Sequence, residues 1–354
     1  MRAPRLGFCC KWVAPDGDPA SQKAMNQTDT TIAALARRDP LERMARLLEI
    51  VRHNLEALER QLRWLAARPE GERLMRIVSS LLPAYNHATA AWVYREPDMR
   101  RLVEDGLGRA GAIAKAAGIR LGMHPSQFCV LATARPEVLA NSVRELEYHG
   151  DVMRGLGLAG GWHPLGAHVN VHGGARAAGV EGFRAALPRL SEDVRGLLTV
   201  ENDEVSFGLD DLLPLADDLP VVLDLHHHWV RTKGERIDPD DPRIARIGDS
   251  WRGVRPLAHV SQPAESVLAG HDPDLPPDFA ALVAGGTRPR DLRLHSVRMW
   301  NRPLNAWTLG HLAWADLEVE AKGKNLAVAD LVAGAGPPVG GRRAGEDPTR
   351  RSIG

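Results

Sequence analysis

The chain has 354 residues, and its 45 lysines and arginines balance 45 aspartates and glutamates, so the formal net charge is zero. Hydrophobic residues make up 44%, as in globular proteins, and three cysteines are too few for a disulfide scaffold. Zero net charge argues against a generic polyanion binder. Without an apolar run of about 18 residues or a signal-peptide core, we expect a cytoplasmic monomer with no membrane contact.

Eight short apolar runs are predicted to be strands, with amphipathic helices between them. The predicted strands are residues 6–13, 74–78, 119–123, 167–171, 197–200, 220–225, 254–259 and 315–319. The predicted helices are residues 41–68, 101–117, 136–156, 180–197, 209–216 and 325–332. Eight βα units with right-handed crossovers indicate a single-domain (β/α)₈ TIM barrel, and a doubly wound open sheet is the alternative.

Two segments depart from this alternation. Residues 270–312 are rich in proline, glycine and arginine and form a long divergent insertion before the last predicted strand. Long connections of this kind are usually functional or disordered. Residues 335–354 contain repeated glycine and arginine and are predicted to be a disordered tail, which leaves residues 1–334 for the barrel domain.

Acid–base and metal-binding side chains follow six predicted strands at their carboxyl ends, which face one mouth of a TIM barrel. One such histidine alone is more often a capping or core residue, and residues 226–228 could be a solvated turn of three histidines. The coincidence at six strands instead predicts one cavity, with His227 favoured among the three. The candidate metal ligands are His124, His172, Glu201, Asp224, His227, His259, His271 and Glu320.

A mixed carboxylate–imidazole set suits Mn²⁺, Zn²⁺ or Fe²⁺ better than Ca²⁺ or Mg²⁺. Eight candidate ligands exceed the needs of one tetrahedral ion, so two or three metals are predicted. Multi-metal sites stabilise the attacking and leaving oxygens at phosphorus, which favours phosphodiester hydrolysis over sugar isomerisation.

Together these motifs resemble the UV damage endonucleases, which are relatives of endonuclease IV and the xylose-isomerase-like barrels. The resemblance extends in order from about residue 5 to residue 333. The matching stretches are Leu6-Gly7-Phe8, Arg76-Ile77-Val78-Ser79-Ser80, His124-Pro125-Ser126-Gln127-Phe128, Glu145-Leu146-Glu147-Tyr148-His149, His172-Gly173-Gly174, Glu201-Asn202-Asp203, Asp224-Leu225-His226-His227, His259-Val260-Ser261 and Glu320-Ala321-Lys322.

The resemblance implies a DNA-repair enzyme that nicks damaged double-stranded DNA immediately 5′ to a UV photoproduct or abasic site. It implies a divalent metal cluster, usually manganese, with Zn²⁺ or Mg²⁺ as alternatives, held by the eight candidate ligands. Catalysis would depend on Glu201, Asp224 and Glu320. Gln127 and Phe128 match a pair that probes the lesion, and Arg76 is a candidate phosphate contact.

One departure from the family pattern bears on activity. The family carries a lysine two residues before His259, which can be carboxylated to bridge two metals, whereas this chain has Leu257. Two further hypotheses stay open, and Leu257 supports the second of them. The chain could be a sugar isomerase or epimerase, in which Glu201 and Glu320 move a proton at a metal-bound substrate. It could also be a non-catalytic DNA-binding relative.

Overall fold

A computed structural model of the protein describes residues 3–159 and 165–334, so the predicted tail 335–354 lies outside the described residues. The prediction of a TIM barrel is confirmed, because eight parallel strands close in sequence order and the last pairs with the first. Each strand overlaps one predicted strand. The strands are β1 (Leu6–Cys9), β2 (Leu74–Ile77), β3 (Arg120–Met123), β4 (His168–His172), β5 (Leu198–Glu201), β6 (Val221–Asp224), β7 (Leu257–Val260) and β8 (Asp316–Val319).

Helices surround the barrel, and none in the described part of the chain is long and apolar enough to cross a membrane. The longest, α3, buries the apolar stripe that the sequence predicts, and Asp39 caps its first turn by accepting a hydrogen bond from the Glu42 amide. The helices are α1 (Pro19–Met25), α2 (Ile32–Ala36), α3 (Pro40–Ala66), α4 (Pro97–Ala117), α5 (Pro136–Gly155), α6 (Gly179–Ala186), α7 (Glu192–Arg195), α8 (Leu209–Leu212), α9 (Leu225–Thr232), α10 (Pro242–Ser250), α11 (Phe279–Ala284), α12 (Arg302–Gly310) and α13 (Asn325–Gly334).

Several element boundaries differ from the prediction for identifiable reasons. The strand predicted for residues 6–13 ends at Cys9, because Cys10 adopts a positive φ of 69° that breaks the extended backbone. The helix predicted for residues 180–197 divides at a 3₁₀ turn that contains Pro188, which has no backbone N–H to donate. The three histidines 226–228 lie in α9 and not on a continuing strand.

The insertion at residues 270–312 is structured. It contains α11 and α12, and Phe279 and Leu292 pack with Trp229 in a small second hydrophobic cluster beside the main core. A bridge between Pro263 and His295 ties this segment to the loop after β7. The segment therefore delivers residues to the carboxyl-terminal mouth of the barrel.

The amino-terminal end of the barrel is closed by a buried ionic network around Asp316, at the start of β8. Its carboxylate accepts hydrogen bonds from Arg5 (Nη1, 3.2 Å), Arg120 (Nη1, 2.9 Å) and Arg255 (Nε, 3.0 Å). Asp316 is fully buried, and Arg5 and Arg120 are nearly so. The Arg120 guanidinium also lies over the Trp251 ring at 5.0 Å. This network holds the strand ends opposite the candidate site.

We predict that Asp316→Asn lowers the free energy of unfolding by about 3–5 kcal/mol, because it leaves buried guanidinium groups without their counter-charge. Urea unfolding measures the change. The matched control is Asp330→Asn, whose partner Arg298 is half-exposed, and its expected cost is about 0–1 kcal/mol. Equal small losses in the two variants would contradict this account of the barrel base.

Candidate active site

The carboxylate of Glu201, at the end of β5, lies at the centre of the carboxyl-terminal mouth and is only 1% exposed. Its Oε2 is 3.0 Å from His124 Nε2, and its Oε1 is 3.0 Å from His259 Nδ1. The Asn170 side-chain amide donates a hydrogen bond to Oε2 as well. Although burial alone would raise the pKa of Glu201, the His259 and His124 rings hold it well below its usual range.

Three groups of possible metal ligands share this one carboxylate. Within each group the candidate ligand atoms lie within 4.8 Å of one another. Seven of the eight sequence-predicted ligands belong to these groups, which are His124–His172–Glu201, Glu201–His259–Glu320 and Glu201–Asp224–His227. The strand register explains this convergence, because His172 pairs with Glu201 and Asp224 pairs with His259 across neighbouring strands.

The hydrogen bonds of His124 leave one ring nitrogen directed at Glu201. His124 Nδ1 lies 2.8 Å from the Pro125 carbonyl, which can only accept, so Nδ1 carries the proton. Burial lowers the pKa of His124 to about 4 and keeps the ring neutral. The lone pair of Nε2 then faces Glu201 Oε2 at 3.0 Å, an arrangement that a bound cation would stabilise.

The turn from β6 into α9 fixes Asp224 and His227. Asp224 caps α9, because its Oδ1 accepts a hydrogen bond from the His227 amide at 2.7 Å. Asn202 exchanges two hydrogen bonds of 2.9 Å with the Asp224 backbone and so locks the ends of β5 and β6 together. Asp224 Oδ2 is buried and accepts no hydrogen bond from any residue that the structure describes. It is therefore free to bind a cation.

Arg76 lies inside this cluster. From β2, its Nη2 pairs with both Glu318 and Glu320, and its side chain is 12% exposed. The structure therefore places Arg76 among the candidate ligands, whereas the sequence analysis assigned it to DNA phosphate.

His271 is the one candidate ligand that the structure does not bring to the cluster. The loop after β7 carries it outwards, where its Nε2 lies 3.0 Å from the Leu275 carbonyl and its ring packs against Trp300. His295 lies at the cluster instead, with Nδ1 3.7 Å from Glu320 Oε2 and its ring 5.8 Å from that of His227.

Three residues at this site were missed by the sequence analysis. Asn170 and Glu318 each precede a selected strand-end residue by two positions, and the two-residue period of a strand would have found them. His295 lies in the long insertion, where no strand pattern marks it, and the Pro263–His295 bridge places it. His168 is buried at the start of β4 and packs over Gly122, where a Cβ would meet its ring at 2.5 Å.

The cluster opens into a cavity of about 560 Å³. Gln127 and Phe128 line it from the loop after β3, and Phe128 is 80% exposed, which is unusual for a large apolar side chain. A bridge between Ala132 and Gly174 anchors this loop to the one after β4, and Gly174 takes a φ of 98° there. The exposed ring is thus held on a fixed support beside the candidate ligands.

Comparison with known proteins assigns the chain to a family. A family model described as UV-endonuclease UvdE matches residues 4–336. The chain belongs to the UV-endonuclease UvdE family. The UV DNA damage endonuclease of Deinococcus radiodurans is 34% identical over 93% of this chain and 94% of that relative. The UV-damage endonuclease of Neurospora crassa is 30% identical over 74% of this chain, but the match spans only 37% of that longer protein.

A solved structure, that of SacUVDE, superposes with a TM-score of 0.70 at 21% identity and covers 93% of this chain and 97% of that chain. This structural similarity confirms that the present chain has a TIM-barrel fold. Leu257 lies at the start of β7, two residues before His259, and is fully buried.

We predict that binding of Mn²⁺ releases about two protons near pH 7. Burial opposes protonation of His227 and His259, but neighbouring carboxylates, Asp224 and Glu201 respectively, raise the pKa of each ring to about 9. Both rings are therefore charged at pH 7 and must become neutral to bind metal. The apparent affinity should rise with pH until about pH 9, and calorimetry in buffers of different ionisation enthalpy counts the protons.

In the same titration, His227→Gln should release about one proton fewer. His311→Gln is the control, because burial lowers the pKa of His311 to about 4 and the ring is already neutral. Binding heats that do not depend on the buffer would contradict the prediction.

Proposed function

We propose that this chain is a divalent-metal-dependent DNA-repair endonuclease that nicks the phosphodiester 5′ to UV photoproducts or abasic sites. The observation that carries the proposal is the sharing of Glu201 by three ligand groups beneath a cavity that Phe128 lines. Family membership supports the same conclusion. The reaction adds water across the P–O3′ bond and leaves a 3′-hydroxyl and a 5′-phosphate.

The residues present fit a metal cluster, with Mn²⁺ proposed and two or three ions matching the three groups. Three buried polar atoms support the fit, because His172 Nδ1, Asp224 Oδ2 and Glu318 Oε2 have no hydrogen-bond partner in the described part of the chain. When bound, such ions polarise the phosphate, lower the pKa of water and stabilise the leaving oxygen. The proposed catalytic carboxylates Glu201, Asp224 and Glu320 would hold them with the histidines.

The chain's own contribution is to orient these ligands before DNA binds. Asn170 bonds to Glu201, and its Oδ1 accepts a hydrogen bond from Thr199 at 2.8 Å, so the carboxylate cannot rotate freely. Asn202 fixes Asp224 in the same way through the backbone. Outer partners of this kind set the orientation of metal ligands and are costly to remove.

Lesion recognition is assigned to Gln127 and Phe128. A damaged base step is weakly stacked, so it costs less free energy to open than an intact step. An exposed aromatic ring can enter the opened step, and a neighbouring amide can hydrogen-bond to the base edges. Arg293 also lines the cavity but pairs with Glu204, and Val205 is a second exposed apolar side chain beside Phe128.

We predict that Glu201→Gln abolishes lesion-dependent nicking, because it removes the charge that all three ligand groups share. The assay uses a 5′-labelled, UV-irradiated duplex with Mn²⁺, Mg²⁺ or Zn²⁺. Glu59→Gln is the control, since Glu59 pairs with Arg109 on the outer helices, and it should nick like the wild type. If the wild type binds metal and DNA but nicks nothing with any metal, the proposal fails and a non-catalytic relative is indicated.

We predict that Phe128→Ala weakens binding to UV-damaged duplex by about 1–3 kcal/mol, roughly 5- to 150-fold, because one stacking contact is lost. Binding to undamaged duplex should stay unchanged, and fluorescence anisotropy measures both. Leu41→Ala is the control, since Leu41 is an equally prominent exposed side chain (73% exposed) on an outer helix. A parallel loss on damaged and undamaged DNA would argue against a lesion-specific role.

A further inference from the structure

A carboxylate that the sequence analysis did not select lies within the candidate site. Glu318 precedes Glu320 by two positions in β8, so its side chain points to the same face of the sheet. It is fully buried, and among the described residues neither of its carboxylate oxygens has a hydrogen-bond partner. Burial of a carboxylate that lacks hydrogen bonds carries a large desolvation cost, which a nearby cation would offset.

The protein's own cations offset this cost only in part. Arg76 Nη2 contacts Glu318 Oε1, but the same nitrogen also serves Glu320. His259 Nε2 lies 3.6 Å from Glu318 Oε1, while Nδ1 of the same ring faces Glu201 and Glu320 at 3.0 and 3.5 Å. The arginine and the imidazole that face Glu318 are thus both shared with Glu320, and Glu318 Oε2 has no hydrogen-bond partner in the described part of the chain.

The strand register relates Glu318 to the departure at Leu257. In the pairing of β7 with β8, His259 lies opposite Glu318. Leu257 lies opposite Asp316, two residues further from the mouth of the barrel in each strand. A long side chain that starts from position 257 and extends towards the mouth would end near His259. The Glu318 carboxylate already lies in that layer, whereas Leu257 fills the layer below with apolar contacts.

We propose that Glu318 is a metal ligand in this chain and that it supplies the anionic oxygen that Leu257 cannot. Glu318 would join the Glu201–His259–Glu320 group from its position in β8, two residues before Glu320 and opposite His259. This inference rests on the proposed function, because it assigns a ligand to the same metal centre. Its test needs no DNA.

The test compares metal binding by the wild type, Glu318→Gln and the control Glu59→Gln. Metal content is measured after equilibrium dialysis against Mn²⁺, affinity is measured by calorimetry, and ligand geometry is followed through the visible absorption of the Co²⁺-loaded protein. We expect Glu318→Gln to bind one equivalent of metal fewer than the wild type. If it still binds that equivalent, its metal affinity should fall by more than the roughly 10- to 100-fold that loss of an outer partner causes. The Co²⁺ spectrum should change, and Glu59→Gln should match the wild type.

Unchanged stoichiometry and affinity in Glu318→Gln would overturn the inference. A moderate loss of affinity with an unchanged Co²⁺ spectrum would overturn it too, because Glu318 would then only support His259 and Arg76. If Glu318→Gln does not fold, as judged by its melting curve in chelator, Glu318→Asp replaces it. That variant keeps the charge but shortens the reach, so metal affinity should fall and equal affinity would overturn the inference.

These outcomes are distinct from failure of the proposed function. Loss of a metal equivalent in Glu318→Gln together with a wild type that never nicks DNA would uphold the ligand and reject the endonuclease. A wild type that binds no divalent metal would reject both.

Discussion

The burial of the Glu201 carboxylate at the centre of the barrel mouth is the constraint on which the rest of the site depends. A carboxylate with this little exposure is stable only if hydrogen bonds and positive charge surround it. Asn170 supplies a hydrogen bond, and His124 and His259 approach from two other strands. The surrounding acidic groups outnumber the fixed cations, so the arrangement favours the binding of divalent ions.

The TIM barrel makes this arrangement possible because the residues that stabilise the fold and those of the candidate site lie at opposite ends of the barrel. At the amino-terminal end, Asp316 joins three arginines and closes the strands into a ring. At the opposite end, the parallel strands deliver their last residues to a common point, which antiparallel strands could not do. Glu318 lies in the same strand as Asp316, two residues nearer the mouth. A single strand of four residues thus contributes a structural carboxylate and a proposed functional one.

The sequence predicted the parts of the site that depend on strand periodicity. Eight strands were found because each is a short apolar run, and seven of the eight candidate ligands came together because strand ends share a mouth. His271 does not join the cluster, because it lies on a loop, where position in the sequence does not determine position in space. Its place at the cluster is taken by His295, which a bridge to Pro263 brings back across the insertion. The pairing of Arg76 with two carboxylates was likewise invisible, since it depends on contacts between β2 and β8, which lie on either side of β1 in the closed sheet.

The most direct test of the central claim is an anomalous-diffraction map of Mn²⁺-soaked crystals, recorded on both sides of the manganese absorption edge. If Glu201 organises a metal cluster, at least two manganese peaks should lie within bonding distance of ligand groups that include its carboxylate. Peaks confined to surface acids, or a single peak that does not touch Glu201, would contradict the account.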